Sequence, residues 1–145
     1  MARFSRLQVW TKMEEIGLVP LFYEPNVETA KEIAMAISAG GGKVIEFTNR
    51  GDRAFEVFRE LITTLDKSDP SVILGVGSVL DPATAGLYIN LGANFVVGSV
   101  MNAEVAKLCN RRKIAYFPGC ASPTEVSYAE ELGVEHAEEV AVVVE

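Results

Sequence analysis

Residues 43–78, KVIEFTNRGDRAFEVFRELITTLDKSDPSVILGVGS, decide how this chain folds. The stretch begins with a short apolar run, VIEFT, and ends with a second one, VILGVG. Between them, apolar residues recur at spacings of three and four: Phe55, Phe58, Ile62 and Leu65. Short apolar runs are typical of buried strands, and the three-four spacing is typical of an amphipathic helix. The stretch therefore predicts a strand, a helix that begins at Asp52, and a second strand.

The same alternation recurs along the rest of the chain. A polar helix is predicted around Ser5–Ile16, and further strand-like runs are GLVPLFY, ANFVVG and KIAYFPG. Residues with side chains suited to capping a helix follow the strand-like runs: Asn26, Asp81 with Pro82, Asn102, and Ser122 with Pro123 and Glu125. Five βα units in succession predict an α/β fold with a parallel sheet covered by helices.

Two architectures satisfy this pattern. A chain of 145 residues fits a single α/β domain. Its length favours an open, doubly wound sheet over a closed eight-stranded βα barrel, which normally needs about 250 residues. In both folds, ligands bind at the carboxyl ends of the strands. In this chain those ends are Thr48 to Arg50, Gly77 and Ser78, Gly98 and Ser99, and Pro118 to Cys120.

Glu46 is a charged residue inside a strand-like apolar run. Alternate residues of a strand share a face, so Glu46, Thr48 and Arg50 are predicted on one side. A buried carboxylate is costly without a partner, so Glu46 is either paired or employed in function. A structural ion pair with Arg50 and a ligand site are both compatible with this pattern.

Composition narrows the classes of partner. The net charge of −7 argues against nucleic acid or an anionic membrane as the main partner. No run approaches the roughly 18 apolar residues of a membrane span. With Cys109, Cys120 and His136 as the only cysteines and histidine, neither a disulfide framework nor a metal site is indicated. We therefore expect both thiols to be reduced and the protein to be cytoplasmic. We also expect Cys120 to be a buried, inert thiol.

Several stretches in register resemble one family of small βα barrels, the 2-keto-3-deoxy-6-phosphogluconate and 4-hydroxy-2-oxoglutarate (KDPG/KHG) aldolases. They are VPLFY, SAGGGKVIEFTNRG, LGVGSVLDPATAGLYINLGANFVV and YFPGCASPTEVSYAEELGV, and together they span Leu18 to Val134. The resemblance implies a partial βα (TIM) barrel or a rearranged open sheet. It also implies class I aldol chemistry, in which a lysine amine forms a Schiff base with pyruvate and no cofactor or metal takes part.

The resemblance also implies roles for individual residues. Glu46 matches the acid/base group, and Arg50 matches the residue that holds the carboxylate of a small 2-keto acid such as pyruvate. Ser78 stands where the family usually has a threonine near the substrate. Thr48, at the same strand end as Arg50, is assigned to substrate binding with Arg50 and Ser78.

The chain departs from the family after the fifth unit. The family has its Schiff-base lysine on the sixth strand, in a segment like KxFPA, where residues 136–145 here read HAEEVAVVVE. Lys43 and Lys113 are predicted at the amino ends of their strands, and the other lysines in helices or at helix ends. The resemblance therefore implies an inactive, truncated or re-engineered aldolase, with residues 1–134 aldolase-like and 135–145 atypical. Natural truncation, a fragment and a design all predict this sequence.

Two other readings stay open. A half-completed barrel exposes sheet edges, which together with the valine run at 140–145 predicts a homo-oligomer or a self-assembling scaffold. A flavodoxin-like binding module is the other reading, and it predicts a strand order of 2-1-3-4-5.

Overall fold

Helices and strands alternate through the computed structural model, which describes residues 2–135 and the backbone of residues 138 and 139. The helices are α1 (Arg6–Ile16), α2 (Val27–Ala39), α3 (Ala54–Ser68), α4 (Pro82–Leu91), α5 (Ala103–Arg112) and α6 (Pro123–Glu131). The strands are β1 (Leu21–Phe22), β2 (Val44–Thr48), β3 (Ile73–Gly77), β4 (Phe95–Gly98), β5 (Ala115–Cys120) and β6 (Glu138–Glu139).

The strands follow one another across the sheet in chain order. The order is β1-β2-β3-β4-β5-β6, and every pairing between neighbours is parallel. Each helix crossover therefore places the next strand on the same side of the last, as in a βα barrel. The partial-barrel prediction is confirmed. The sheet is open, as chain length favoured, but the doubly wound order and the flavodoxin-like order are wrong because no crossover reverses direction.

The two faces of the sheet carry different apolar layers. On one face, Ile45 and Phe47 of β2 pack with Leu74 and Val76 of β3 against the buried sides of the helices that follow the strands. On the other face, residues of β2 to β5 pack against α1: Val44, Ile73, Phe95, Ala115 and Phe117. We call this second surface the α1 face. Because strand residues alternate, Glu46 and Thr48 lie on the α1 face with Val44.

Helix α1 closes the α1 face. Its Val9 is fully buried, and the ring of Trp10 lies 4.4 Å from that of Phe117. The predicted start at Ser5 is confirmed, because Ser5 and Gln8 form a reciprocal capping box. Burial of Val9 and contact with Phe117 fix the helix on the sheet.

The beginning of α3 differs from the prediction. The helix begins at Ala54, and Arg53 stands before it with a left-handed backbone (φ 59°) and no side-chain cap. Ala54 N–H donates to the carbonyl of Gly51, so a turn occupies the place where Asp52 was expected to cap the helix. Phe55, expected inside, is 39% exposed.

The segment after α6 returns to the sheet. Arg6 of α1 donates to the carbonyl of Gly133 at 2.6 Å and pairs with Glu135 at 2.6 Å. The backbone of Glu138–Glu139 then pairs with β5, Gly119 opposite Glu138. His136 and residues 140–145 lie outside the described residues, so the prediction for the valine run stays a prediction. Within residues 2–135, no helix is long and apolar enough to cross a membrane.

Candidate functional site

Glu46 lies buried in the middle of β2, opposite Leu21 of β1 and Gly75 of β3, with 8% of its surface exposed. Its backbone N–H donates to the carbonyl of Pro20 at 2.9 Å. Its carboxylate lies across Gly77: a Cβ on Gly77 would stand 1.6 Å from Oε1. The absence of a side chain at position 77 is therefore what makes room for the carboxylate.

Gly75 makes room for a side chain of the neighbouring strand β4 in the same way. A Cβ on Gly75 would lie 2.4 Å from ring atoms of Phe95 on β4. The two glycines of β3 thus let side chains from both neighbouring strands lie close against its backbone. The ligand role predicted for the strand end at Gly77 stays a prediction.

Thr48 ends β2 two residues beyond Glu46 and lies opposite Gly77 in the register of β3. The residue is 1% exposed. Its hydroxyl is buried and has no hydrogen-bond partner among the described residues. A buried hydroxyl in this state is uncommon in folded proteins.

Ser78 follows β3 directly, with a left-handed backbone (φ 59°) that is rare for residues other than glycine. The next residue, Val79, donates its N–H to the carbonyl of Val97 on β4. Ser78 is therefore held by the strand before it and the contact after it, next to the residue that receives the Glu46 carboxylate. A strained backbone of this kind is found preferentially at functional sites.

Arg50 does not lie where strand alternation predicted it. The strand ends at Thr48, and the last hydrogen bond of its parallel ladder with β3 is the one that Asn49 N–H donates to the carbonyl of Gly77 at 2.9 Å, so Arg50 lies beyond the ladder. Arg50 is exposed and forms no ion pair with any described residue. The structural ion pair with Glu46 is thus not formed, and a ligand role for Arg50 stays a prediction.

Tyr88 is a residue at this strand end that the sequence did not indicate, and its partner Asn49 was predicted to lie at the strand end without a role of its own. The Tyr88 hydroxyl donates to Asn49 Oδ1 at 2.8 Å, and burial raises the pKa of Tyr88 to about 12. The Tyr23 hydroxyl lies against Gly51, where a Cβ would stand 1.7 Å from it. A polar residue directly after a strand was a signal for Asn49, whereas nothing local to Tyr88 in the sequence points to this contact.

All six lysines of the sequence fall within the described residues, and none lies at the carboxyl end of a strand. Lys43 precedes β2, and its ammonium contacts Ser38 Oγ and Asp69 Oδ2, each at 2.7 Å. This contact holds the pKa of Asp69 well below its usual range. Lys113 ends α5 before β5 begins. The others lie in helices: Lys12, Lys31, Lys67 and Lys107.

The two thiols are buried and free. Burial raises the pKa of Cys109 to about 12 and also raises that of Cys120, so neither is prepared as a nucleophile. The predicted burial of Cys120 is confirmed, and its inertness stays a prediction. Among the described residues, no group of three acidic, cysteine or histidine side chains stands close enough to bind a metal. The open depression at the start of α6, lined by Cys120 and Ser122, does not include Glu46.

Known proteins resemble this chain over most of its length. The model of one family, the KDPG and KHG aldolases, matches residues 9–138. Two similar proteins are 2-dehydro-3-deoxy-phosphogluconate aldolases, from Haemophilus influenzae (27% identical over 90% of the chain) and Treponema pallidum (30% over 88%). The chain covers 60% and 59% of these two proteins, so it spans about three fifths of their length.

A solved structure agrees with the sequence comparison. It is the KDPG aldolase of Legionella pneumophila with pyruvate captured as a covalent carbinolamine intermediate. The two chains are 28% identical and superpose with a TM-score of 0.75 over 82% of this chain and 56% of the other. The order of strands and helices described above is therefore shared with these proteins.

Proposed function

Because the chain belongs to the KDPG and KHG aldolase family, we propose that it is the portion of a class I aldolase that binds and deprotonates a small 2-keto acid. The observation that carries this proposal is the Glu46 carboxylate, buried on the α1 face and seated over Gly77. A carboxylate held this way is placed to exchange a proton with the carbon next to the keto group of a bound acid.

The neighbours of Glu46 have complementary roles in this proposal. The Arg50 guanidinium binds the carboxylate of the 2-keto acid, for which its paired N–H donors are suited. Its exposure leaves it free to turn toward a ligand at the strand ends. Thr48 and Ser78 supply hydroxyl groups at the ends of β2 and β3. Pyruvate is the simplest acid that fits this set.

The missing amine limits what the chain does alone. Class I aldol chemistry needs a lysine amine that reaches the keto carbon. The lysines lie in helices or before the amino ends of strands, and three of them pair with glutamates one turn away: Lys12, Lys31 and Lys107. We therefore propose that this chain binds pyruvate weakly and does not cleave an aldol substrate, unlike an intact family member. We also expect it to work in the cytoplasm, apart from nucleic acids and membranes.

Borohydride trapping tests the missing amine. The folded chain is mixed with pyruvate and sodium borohydride, and its intact mass is measured. We expect no added mass, because no lysine is placed to form the Schiff base that borohydride reduces. A family aldolase that has the lysine serves as the positive control. A trapped adduct, mapped to one peptide, would falsify the inactive assignment and identify the amine that replaces the missing one.

A second candidate function is assembly, and the short edge strand favours it. Strand β1 has two residues and pairs only with β2 in the described sheet. Leu18 and Leu21 beside this edge are 65% and 55% exposed. An open edge with exposed leucines is a surface that a second chain can cover.

A further inference from the structure

The Thr48 hydroxyl is the feature of the α1 face that packing alone does not explain. It is buried in a residue that is 1% exposed, and no described residue accepts or donates a hydrogen bond to it. A buried hydroxyl without a partner carries its full desolvation penalty. Valine has nearly the same shape without this penalty. A threonine at this position therefore calls for a role for its hydroxyl.

The position of Thr48 connects it to Glu46. The two residues are two apart on β2 and so share the α1 face. Thr48 is opposite Gly77, the residue across which the Glu46 carboxylate lies. Gly77 contributes no side chain between them, so the hydroxyl and the carboxylate border the same strand end.

We infer that Thr48 is a substrate-positioning residue: its hydroxyl donates a hydrogen bond to the keto oxygen of the 2-keto acid that binds beside Glu46. This inference rests on the proposed function. As the base of the proposed function, Glu46 is a carboxylate that only accepts hydrogen bonds, so in that role it has no donor for a keto oxygen. The exposed Arg50 is committed to the ligand's carboxylate in the same proposal. Thr48 supplies the donor that is still needed, on the side of the site that faces Glu46.

A specificity follows from this arrangement. Pyruvate carries the keto oxygen that the Thr48 hydroxyl binds, and propionate has the same carboxylate and carbon chain without that oxygen. The site is therefore expected to bind pyruvate more tightly than propionate. This preference should depend on the Thr48 hydroxyl alone. Contacts to the shared carboxylate do not distinguish the two acids.

The test measures binding of both acids by three proteins: wild type, Thr48→Val and Thr48→Ser. Sodium pyruvate and sodium propionate are titrated while the amide signals of Gly77 and Ser78 are followed by NMR. We expect Thr48→Val to bind pyruvate about tenfold more weakly, the size of one hydrogen bond, and propionate as wild type does. Thr48→Ser keeps the hydroxyl and should keep the preference. Equal weakening for both acids would show a structural effect and overturn the inference.

Urea unfolding of the ligand-free proteins provides an independent test. If the hydroxyl has no partner in the free protein, Thr48→Val should unfold at the same urea concentration as wild type or a higher one. An earlier midpoint would mean that the hydroxyl is already bonded in the free protein, and would overturn the inference without touching the proposed function. Wild type that binds neither acid contradicts the proposed function and the inference with it. Wild type and Thr48→Val with the same preference for pyruvate contradict the inference alone.

Discussion

Gly77 determines where the Glu46 carboxylate lies. A Cβ on Gly77 would stand 1.6 Å from Oε1 and 2.5 Å from the carboxyl carbon of Glu46. Gly77→Ala must therefore displace the Glu46 carboxylate from its position against Gly77 or shift β3. We expect a loss of about 1–3 kcal/mol in the free energy of unfolding, because overpacking a buried position costs this much. Urea unfolding measures it.

Gly86 provides the matched control for that substitution. It lies in α4, where an added Cβ would meet only Leu108, at 3.9 Å. Alanine favours a helix over glycine by about 1 kcal/mol, so Gly86→Ala should be neutral or stabilising. If Gly77→Ala is as stable as wild type while Gly86→Ala behaves as expected, the carboxylate does not depend on the space above Gly77.

The sequence correctly predicted Glu46 inside a buried strand, but it extended that strand to Arg50, two residues beyond its end, and the reason is physical. A charge inside a strand-like apolar run is an anomaly visible in the local pattern. The end of β2 is set by distant partners instead: Asn49 N–H bonds to Gly77, and Asn49 Oδ1 bonds to Tyr88. Alternation extended through residue 50 could not account for bonds made across 28 and 39 positions.

The N-cap of α4 allows the stability contributed by a single capping residue, Asp81, to be measured. Asp81 accepts from the N–H of Thr84 at 2.9 Å and from its hydroxyl at 2.6 Å, and these bonds lower the pKa of Asp81. Asp81→Ala leaves the first-turn amide without its partner. We expect a loss of about 1 kcal/mol in the free energy of unfolding, and nearly none for Asp81→Ser, which still caps. Equal destabilisation by both substitutions would mean that the cap contributes nothing specific.

Helix starts were predictable where the cap is local. Asn26, Asp81, Asn102 and Ser122 each accept from an amide two or three residues ahead, so the signal lies within four residues. The predicted start of α3 was wrong because the Tyr23 side chain, which follows β1, packs on Gly51 in the turn before the helix. A contact of this kind has no signature in the residues around Asp52.

For the whole molecule, the sequence left two sheet architectures open: chain length favoured an open sheet, which the structure has, but the doubly wound strand order that went with it is wrong. Alternation of strands and helices is encoded locally, whereas strand order depends on which strands pair across the crossovers that contain the helices. A complete barrel needs about 250 residues, whereas a part of one can be shorter. In the part of the chain that the structure describes, the strands continue in the sequential order of a barrel through β6.

The open edge at β1 leads to a prediction for the assembled molecule. Leu18 and Leu21 are 65% and 55% exposed beside a two-residue edge strand. We expect an oligomer in light scattering at high micromolar concentration, because a second chain that covers this edge removes exposed leucine from water and pairs unpaired backbone groups. Leu21→Lys should shift the protein toward monomer, since a charge at a sheet edge opposes pairing.

Leu87 is the control for this edge. It lies on α4, away from β1, and is 42% exposed, so Leu87→Lys adds the same charge elsewhere. We expect Leu87→Lys to leave the oligomer unchanged. A monodisperse wild-type monomer would contradict assembly altogether. An oligomer that Leu87→Lys disrupts and Leu21→Lys does not would move the interface from the β1 edge to the helical surface, where packing between helices replaces strand pairing as its source of stability.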